Sequence, residues 1–429
     1  MKIKTISAKR CLAIALTAAA MTVPVAAMAA TEAEKRSAID SGLAWLATQQ
    51  QGNGSWFYSG GVEDAATTGS ALLAFLEEKD NWAVDYSSNV TAGINYLLNQ
   101  ATTYNISVQP AGNPDSDGNG VGVKFVPGGN NNRDTYVTGL ALPAIAKVAA
   151  ATPNALVTTG ALAGWTYKDV VQNTVDYFAY GQNDANTGVH RGGWRYYANN
   201  GTSDNSTAQW PPISMLYAQA VPGVTVPSFV KSELTNYIDY IQNSTSGGSG
   251  YDSPTYLVNE AKTGGLLAEM AFAGYNGTSS GAGDLSDRAG ALTYLNNNWT
   301  NFASSWNGNF AHPYAMWSIY KGLELQIGLN DTAAITNLLT DCGAARGGQD
   351  AGDNCNWWED YSEWLVQNQN ANGSWAGYSS WPSALSTPWF INILAATEIP
   401  DGEAPEPGTL ALMAIGLFGA GAARRRRRK

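Results

Sequence analysis

Asp64, Asp134, Asp204 and Glu260 share a setting: each stands three or four residues before a threonine (Thr68, Thr138, Thr207, Thr263) that opens an apolar run. Carboxylates repeated at one register can ring an opening and hold a cation or polar ligand. They can also simply complement helix N-termini, an effect worth about 0.3–1 kcal/mol each. The second reading needs no ligand. The chain has two histidines, His190 and His312, and His312 joins the four acids as a candidate for the mouth of a cavity. No His-Glu-x-x-His or Cys-x-x-Cys pattern occurs, so neither the zinc-protease nor the dithiol signature is present. The stretch "NPDSDGNG" places Asn113, Asp115 and Asp117 at alternating positions before Gly118. That is how a calcium loop of the EF-hand type begins, but its twelfth position, which should carry an acid, is Lys124. The plainer reading is a polar turn in an insertion, with no resident cofactor. Fifteen tryptophans and 21 tyrosines are mostly expected in the core. Some can line a sugar- or lipid-binding cavity.

The elements that must position these residues recur. "WLATQQQGNGSW" (residues 45–56) returns as "WLVQNQNANGSW" (364–375). Between them run further units: an aromatic-aliphatic pair, a Gly-rich turn ending in an aromatic, then Thr or Ser before an apolar run. The turn aromatics are Trp56, Phe125, Trp194, Tyr251, Trp306 and Trp375. From turn aromatic to threonine there are 12 or 13 residues in five units, and the fifth unit breaks the spacing. Each unit reads as two helices. The first, as in "SAIDSGLAWLATQQ", is amphipathic. The second, as in "TTGSALLAFLEE", is apolar nearly all round and therefore buried. The threonine is expected as the N-cap of that second helix. The expectation is an all-α fold of about six helical hairpins in two concentric layers, one domain over residues 31–400.

The Gln-(few)-Gly-x-Trp turns, best at Gln50–Trp56 and Gln369–Trp375, resemble the QW motif of the prenyltransferase and squalene cyclase repeat superfamily. The resemblance implies an α/α-toroid with a central cavity. It also implies a structural, stacking role for Trp56, Trp194 and Trp375. In a closed ring the first and last units are neighbours, which accounts for the repeated twelve residues. The resemblance does not carry over activity. The cyclase Asp-x-Asp-Asp motif is absent. The zinc ligands of the prenyltransferase branch run Asp, Cys, His, whereas here His312 precedes Asp341 and Cys342.

Both ends are processing signals. Residues 1–30 have Lys2, Lys4, Lys9 and Arg10, then an apolar run, then Ala27, Ala29 and Ala30; this is the pattern of a secretory signal peptide. Residues 401–429 contain Pro405, Glu406 and Pro407, then apolar or small residues from Thr409 to Ala423, then Arg424–Arg428 and Lys429. As a helix the apolar part reaches about 22 Å, short of the ~30 Å hydrocarbon core. This tail resembles the PEP-CTERM sorting signal of Gram-negative bacteria. The resemblance implies signal peptidase and an exosortase as processing partners, a transient membrane association through the tail, and a final place at the cell surface or in the extracellular matrix. Removing both ends takes Lys+Arg from 24 to 14 and Asp+Glu from 35 to 32, a net charge of about −18. Such a surface repels nucleic acid and anionic membranes. Only Cys342 and Cys355 remain, an exported pair that invites one disulfide.

The sequence thus describes an exported toroid that binds, or scaffolds, an extracellular polymer such as an exopolysaccharide. The alternative is an enzyme of terpene-cyclase-like or glycan-active type. The character of the cavity discriminates between them.

Overall fold

A computed structural model of the chain describes residues 30–58, 60–61, 63–126, 133–278, 281, 283–340 and 355–399. Among these are twelve α-helices: α1 Glu32–Gln49, α2 Asp64–Glu77, α3 Ser87–Asn99, α4 Asp134–Ala151, α5 Tyr167–Gly181, α6 Trp210–Gln219, α7 Ser228–Ile241, α8 Glu260–Ala273, α9 Arg288–Asn298, α10 Pro313–Ile327, α11 Trp357–Gln367 and α12 Ser383–Leu394. The even-numbered helices pack in sequence, α2 on α4, α4 on α6, and so on to α12, which returns to α2. The odd-numbered helices lie outside this ring. The fold is an all-α α/α-toroid of six hairpins.

Composition explains which helix goes inside. From Asp64 to Phe75 every residue of α2 is buried, and α8 and α10 are buried along nearly their whole length. Small residues let inner helices touch at the backbone. A Cβ on Gly322 would lie 2.3 Å from the Gly264 carbonyl oxygen. Outer helix α3 buries one face, at Val90, Gly93, Tyr96, Leu97 and Leu98, whereas α5, which also packs under the β-hairpin of the insertion, is buried along nearly its whole length.

The glutamines of the turns act as clasps between units. Gln50 donates from Nε2 to the Gly54 carbonyl (3.0 Å) and to Asn89 of the next outer helix (2.8 Å). Gln182 does the same to Gly192 and Val230, and Gln242 to Gly247 and Asp287. Gln369 closes the ring, donating to Gly373 (2.9 Å) and to Ala38 of the first helix (2.7 Å). Gly373 has φ +90°, and a Cβ there would sit 2.2 Å from the Ser41 carbonyl oxygen. The indoles of Trp56, Trp194 and Trp375 are buried, and each Nε1 donates to the carbonyl of its own outer helix, at Leu46, Phe178 and Leu365.

The threonines correct one expectation. They are not N-caps. Helix α2 begins at Asp64 and α4 at Asp134, four residues before Thr68 and Thr138. In three units the threonine hydroxyl is instead buried and accepts the backbone N–H of the turn residue: Trp56 to Thr68 (3.0 Å), Phe125 to Thr138 (3.3 Å), Trp375 to Thr387 (3.1 Å); the buried Thr207 hydroxyl has no such partner. In the fourth unit the donor is Ser249 rather than Tyr251 (3.0 Å to Thr263).

The insertion of the second unit forms a hairpin, β1 Thr102–Asn105 antiparallel to β2 Val121–Lys124 with Thr102 opposite Lys124, and β2 packs on α5. Among the described residues no helix is long and apolar enough to cross a membrane. Residues 1–29 and 400–429, which carry the signal peptide and the sorting motif, lie outside the described residues. Cys355 is disulfide-bonded; its expected partner, Cys342, also lies outside them.

Candidate functional site

All six inner helices turn their N-terminal ends toward one face, and a cavity of about 970 Å³ opens there. Ala66 of α2, Tyr136 of α4, Trp210 of α6, Lys262 of α8, Tyr314 of α10 and Leu385 of α12 all line it. Its floor is aromatic. Trp210 stacks on Trp389 (6.1 Å, 22°) and Trp389 on Trp317 (6.0 Å, 11°). Beneath them the Lys321 ammonium lies over the Trp317, Tyr320 and Tyr217 rings at 5.0–5.7 Å and donates to the Thr397 carbonyl (2.7 Å). The toroid hole is therefore a bowl with a filled base. Its walls continue the aromatic series: Trp381 stacks on Tyr314 (5.4 Å, 8°) and meets Trp306 edge-on (5.8 Å). The rim is open, with Trp306 55% and Tyr197 45% exposed.

The four sequence-selected acids are not among the residues lining this bowl. Each stands at or just before the start of an inner helix; Asp64 and Asp134 turn their carboxylates back into the preceding loop, Asp204 toward the residues that follow it, and Glu260 into the turn of the next unit. Asp64 accepts from the Tyr58 N–H (2.6 Å) and Gly60 N–H (3.3 Å). Asp134 pairs with Lys124 (2.5 Å). Glu260 accepts from Asn301 (3.0 Å) and the Gly308 N–H (2.9 Å). Asp204 accepts from the Ser206 hydroxyl (2.6 Å) and the Thr207 N–H (3.1 Å), with the Arg195 guanidinium 3.4 Å away. Burial holds Asp204 above the usual carboxylate range despite these partners. The acids therefore act as loop anchors at helix starts.

His312 does line the bowl. It caps α10, its Nδ1 accepting the Ala315 N–H (3.3 Å). Nε2 therefore carries the proton of the neutral ring, and it has no partner. Burial pulls its pKa down to about 4. His190 is used locally, its Nδ1 accepting the Ser203 N–H (3.1 Å).

Asp115 and Asp117 meet a third acid, Asp176 of α5, with one oxygen of each within 4.8 Å of the others. All three are engaged. Asp115 accepts from the Gly118 and Gly120 N–H groups, Asp117 from Asn173, and Asp176 from Gln172 and the Ser116 N–H. Asn113 holds the turn from outside, accepting the Asp115 N–H (3.2 Å). These bonds tie the insertion to α5.

Residues 403–428 match the PEP-CTERM protein-sorting motif. The chain carries a PEP-CTERM sorting signal. Such a signal implies export, processing by an exosortase, and a place at the cell surface or outside it. No curated protein matches the sequence. Among solved structures the chain is similar to the type II terpene cyclase MstE from Scytonema in its apo form, with 15% identity, 85% of this chain and 98% of that chain covered, and a TM-score of 0.44. It is similar also to a variant of that enzyme in complex with merosterolic acid A, with 15% identity, 85% and 97% covered, and a TM-score of 0.42.

Ahead of the PEP-CTERM segment, the bowl contains residues that sequence reasoning passed over: Lys262, Tyr136, Tyr196 and Trp381. For Lys262 a signal existed. The position just before the repeat threonine is Thr67, Val137, Ser206 and Ser386 in other units; only the fourth unit puts a charge there. Burial pulls the Lys262 amine down to about 7, against the opposing pull of Asp204 and Glu260.

Proposed function

We propose that the mature protein is a surface-delivered binding module whose aromatic bowl holds a saccharide segment of an extracellular polymer. The observation that supports this best is the bowl itself: open at the rim, walled by Trp306, Trp381, Tyr314 and Tyr196, and floored by stacked tryptophans. Aromatic faces pack against the apolar faces of sugar rings, while tyrosine hydroxyls and Asn200 offer hydrogen bonds at the edges.

Catalysis is poorly provided for. Glycoside hydrolysis uses two carboxyl groups flanking the scissile bond. Among the described lining residues only Glu63 carries a carboxylate, and it lies 3.7 Å from Arg133. Protonating an unactivated alkene needs a strong, accessible acid, and Asp204 is turned away behind Ser206 and Arg195.

The test is to titrate the mature domain with the producer's own exopolysaccharide and, separately, to incubate it with squalene. Saturable binding without chain shortening is expected. Trp306→Ala or Trp381→Ala should weaken it by about tenfold or more, the usual cost of removing an aromatic anchor. Shortened polymer or cyclised squalene would make the protein an enzyme instead.

A further inference from the structure

Lys262 is an anomaly among the residues of the bowl, the one lysine among its described lining residues. It sits in the first turn of α8, 4% exposed, and lines the bowl. Among the described residues no hydrogen bond or ion pair reaches its amine. The two acids whose charge it feels, Asp204 and Glu260, are engaged elsewhere, Asp204 with Ser206 and Glu260 with the Gly308 N–H. A buried ammonium without a counter-charge is costly. The same bowl contains a second unpartnered donor, the Nε2–H of fully buried His312, whose ring packs against Trp381 (4.8 Å) and Tyr378 (5.1 Å). The helix ends add to this. Six N-termini with their partial positive charge surround the opening, and α10 and α12 have no acid in their first turn to offset it.

We propose that Lys262, assisted by His312, receives a carboxylate carried by the bound saccharide, so that the bowl selects acidic glycan chains, such as those containing uronic acids, over neutral ones. This rests on the saccharide-binding reading above and adds the class of sugar. A carboxylate accepts from the ammonium and from the imidazole N–H in charge-assisted bonds, while the sugar ring lies along the Tyr314–Trp381 wall. The protein's overall negative charge opposes the approach of an acidic polymer. Exposed charges more than about 8 Å away are nevertheless largely screened at physiological salt, whereas the contact with Lys262 forms out of water.

The experiment compares the producer's exopolysaccharide before and after chemical reduction of its carboxyl groups to alcohols. Three proteins are used: the wild-type mature domain, Lys262→Met and Lys262→Arg. The wild type should bind the native polymer about tenfold or more tighter than the reduced one, the scale of one charge-assisted bond. Lys262→Met should lose that preference while still binding the reduced polymer, and Lys262→Arg should keep part of it. Equal binding of native and reduced polymer by the wild type overturns this inference and leaves the binding module standing. Failure of the wild type to bind either polymer overturns the binding module as well. If Lys262→Met does not fold, the wild-type comparison alone still decides.

Discussion

At the scale of single residues, burial without a partner separates groups that serve a ligand from groups that serve nothing visible. Glu269 on α8 is fully buried, and neither carboxylate oxygen has a hydrogen-bond partner. It does not line the bowl. Burial lifts its pKa well above the usual carboxylate range. Its contribution to stability is therefore full below the unfolded value of 4.5 and is lost as pH rises toward the folded value. Glu269→Met should raise stability at neutral pH by about 1–3 kcal/mol, because an unsatisfied polar group is replaced by an apolar one of similar shape. The variant should also flatten the decline in stability as pH rises above the unfolded value of 4.5. Urea unfolding at several pH values checks both, and a destabilised variant with an unchanged slope would show that Glu269 has a structural partner after all. Hydrophobic periodicity marked neither Glu269 nor Lys262, although the repeat register does set Lys262 apart as the one charge before a repeat threonine. Both sit in a helix whose apolar pattern already announces burial, and pattern does not say which polar atoms lack a partner.

At the scale of elements, the two-helix unit was legible because its turn chemistry repeats: a glutamine, a glycine at positive φ and an aromatic at fixed spacing. The clasp predicts its own weak points. Gly373→Ala places a Cβ 2.2 Å from the Ser41 carbonyl in a backbone conformation disfavoured for alanine. It should cost about 2 kcal/mol or more, measured by chemical denaturation. Alanine at Gly164, which also has positive φ but open space around it, should cost less. The fifth unit breaks the spacing and the fourth keeps it with Tyr251 as its turn aromatic, and the structure departs from the reading in both. Ser249 takes the place expected of Tyr251, and buried Phe310 lies in the turn where Trp306 was expected. Tyr251 and Trp306 are thereby released to line the bowl. The repeat is broken where the site is built, so a reading that rewards regularity finds the frame and overlooks the site. The acids were misplaced for a related reason. Spacing put them at helix starts, but only hydrogen bonding shows that they face backbone and side chains of the loops rather than the bowl.

At the scale of the whole molecule, the ring was legible from its two matching ends, and Gln369 on Ala38 is the contact that joins them. The mature protein recovered from the cell surface should lack both terminal signals. Intact mass under non-reducing and reducing conditions, followed by peptide mapping, should also find Cys342 joined to Cys355. Such a bridge across a short loop gains about 3 kcal/mol in the chain-entropy model. Retention of Arg424–Lys429 in most molecules would contradict the sorting assignment, and a Cys355 bonded to another thiol would contradict the pairing. The ends of the toroid also have a direction. Ile399, the last described residue, donates its N–H to Glu324 (2.6 Å), and the Thr397 carbonyl meets Lys321. Both partners lie near the C-terminal end of α10, whereas the bowl opens at its N-terminal end. The first helix starts on that same far side, where Lys35 lies over Trp358, whose indole bonds Ile393. The described chain thus leaves the toroid on the face opposite the bowl, so the segment that is read during sorting starts from the side where no ligand would enter.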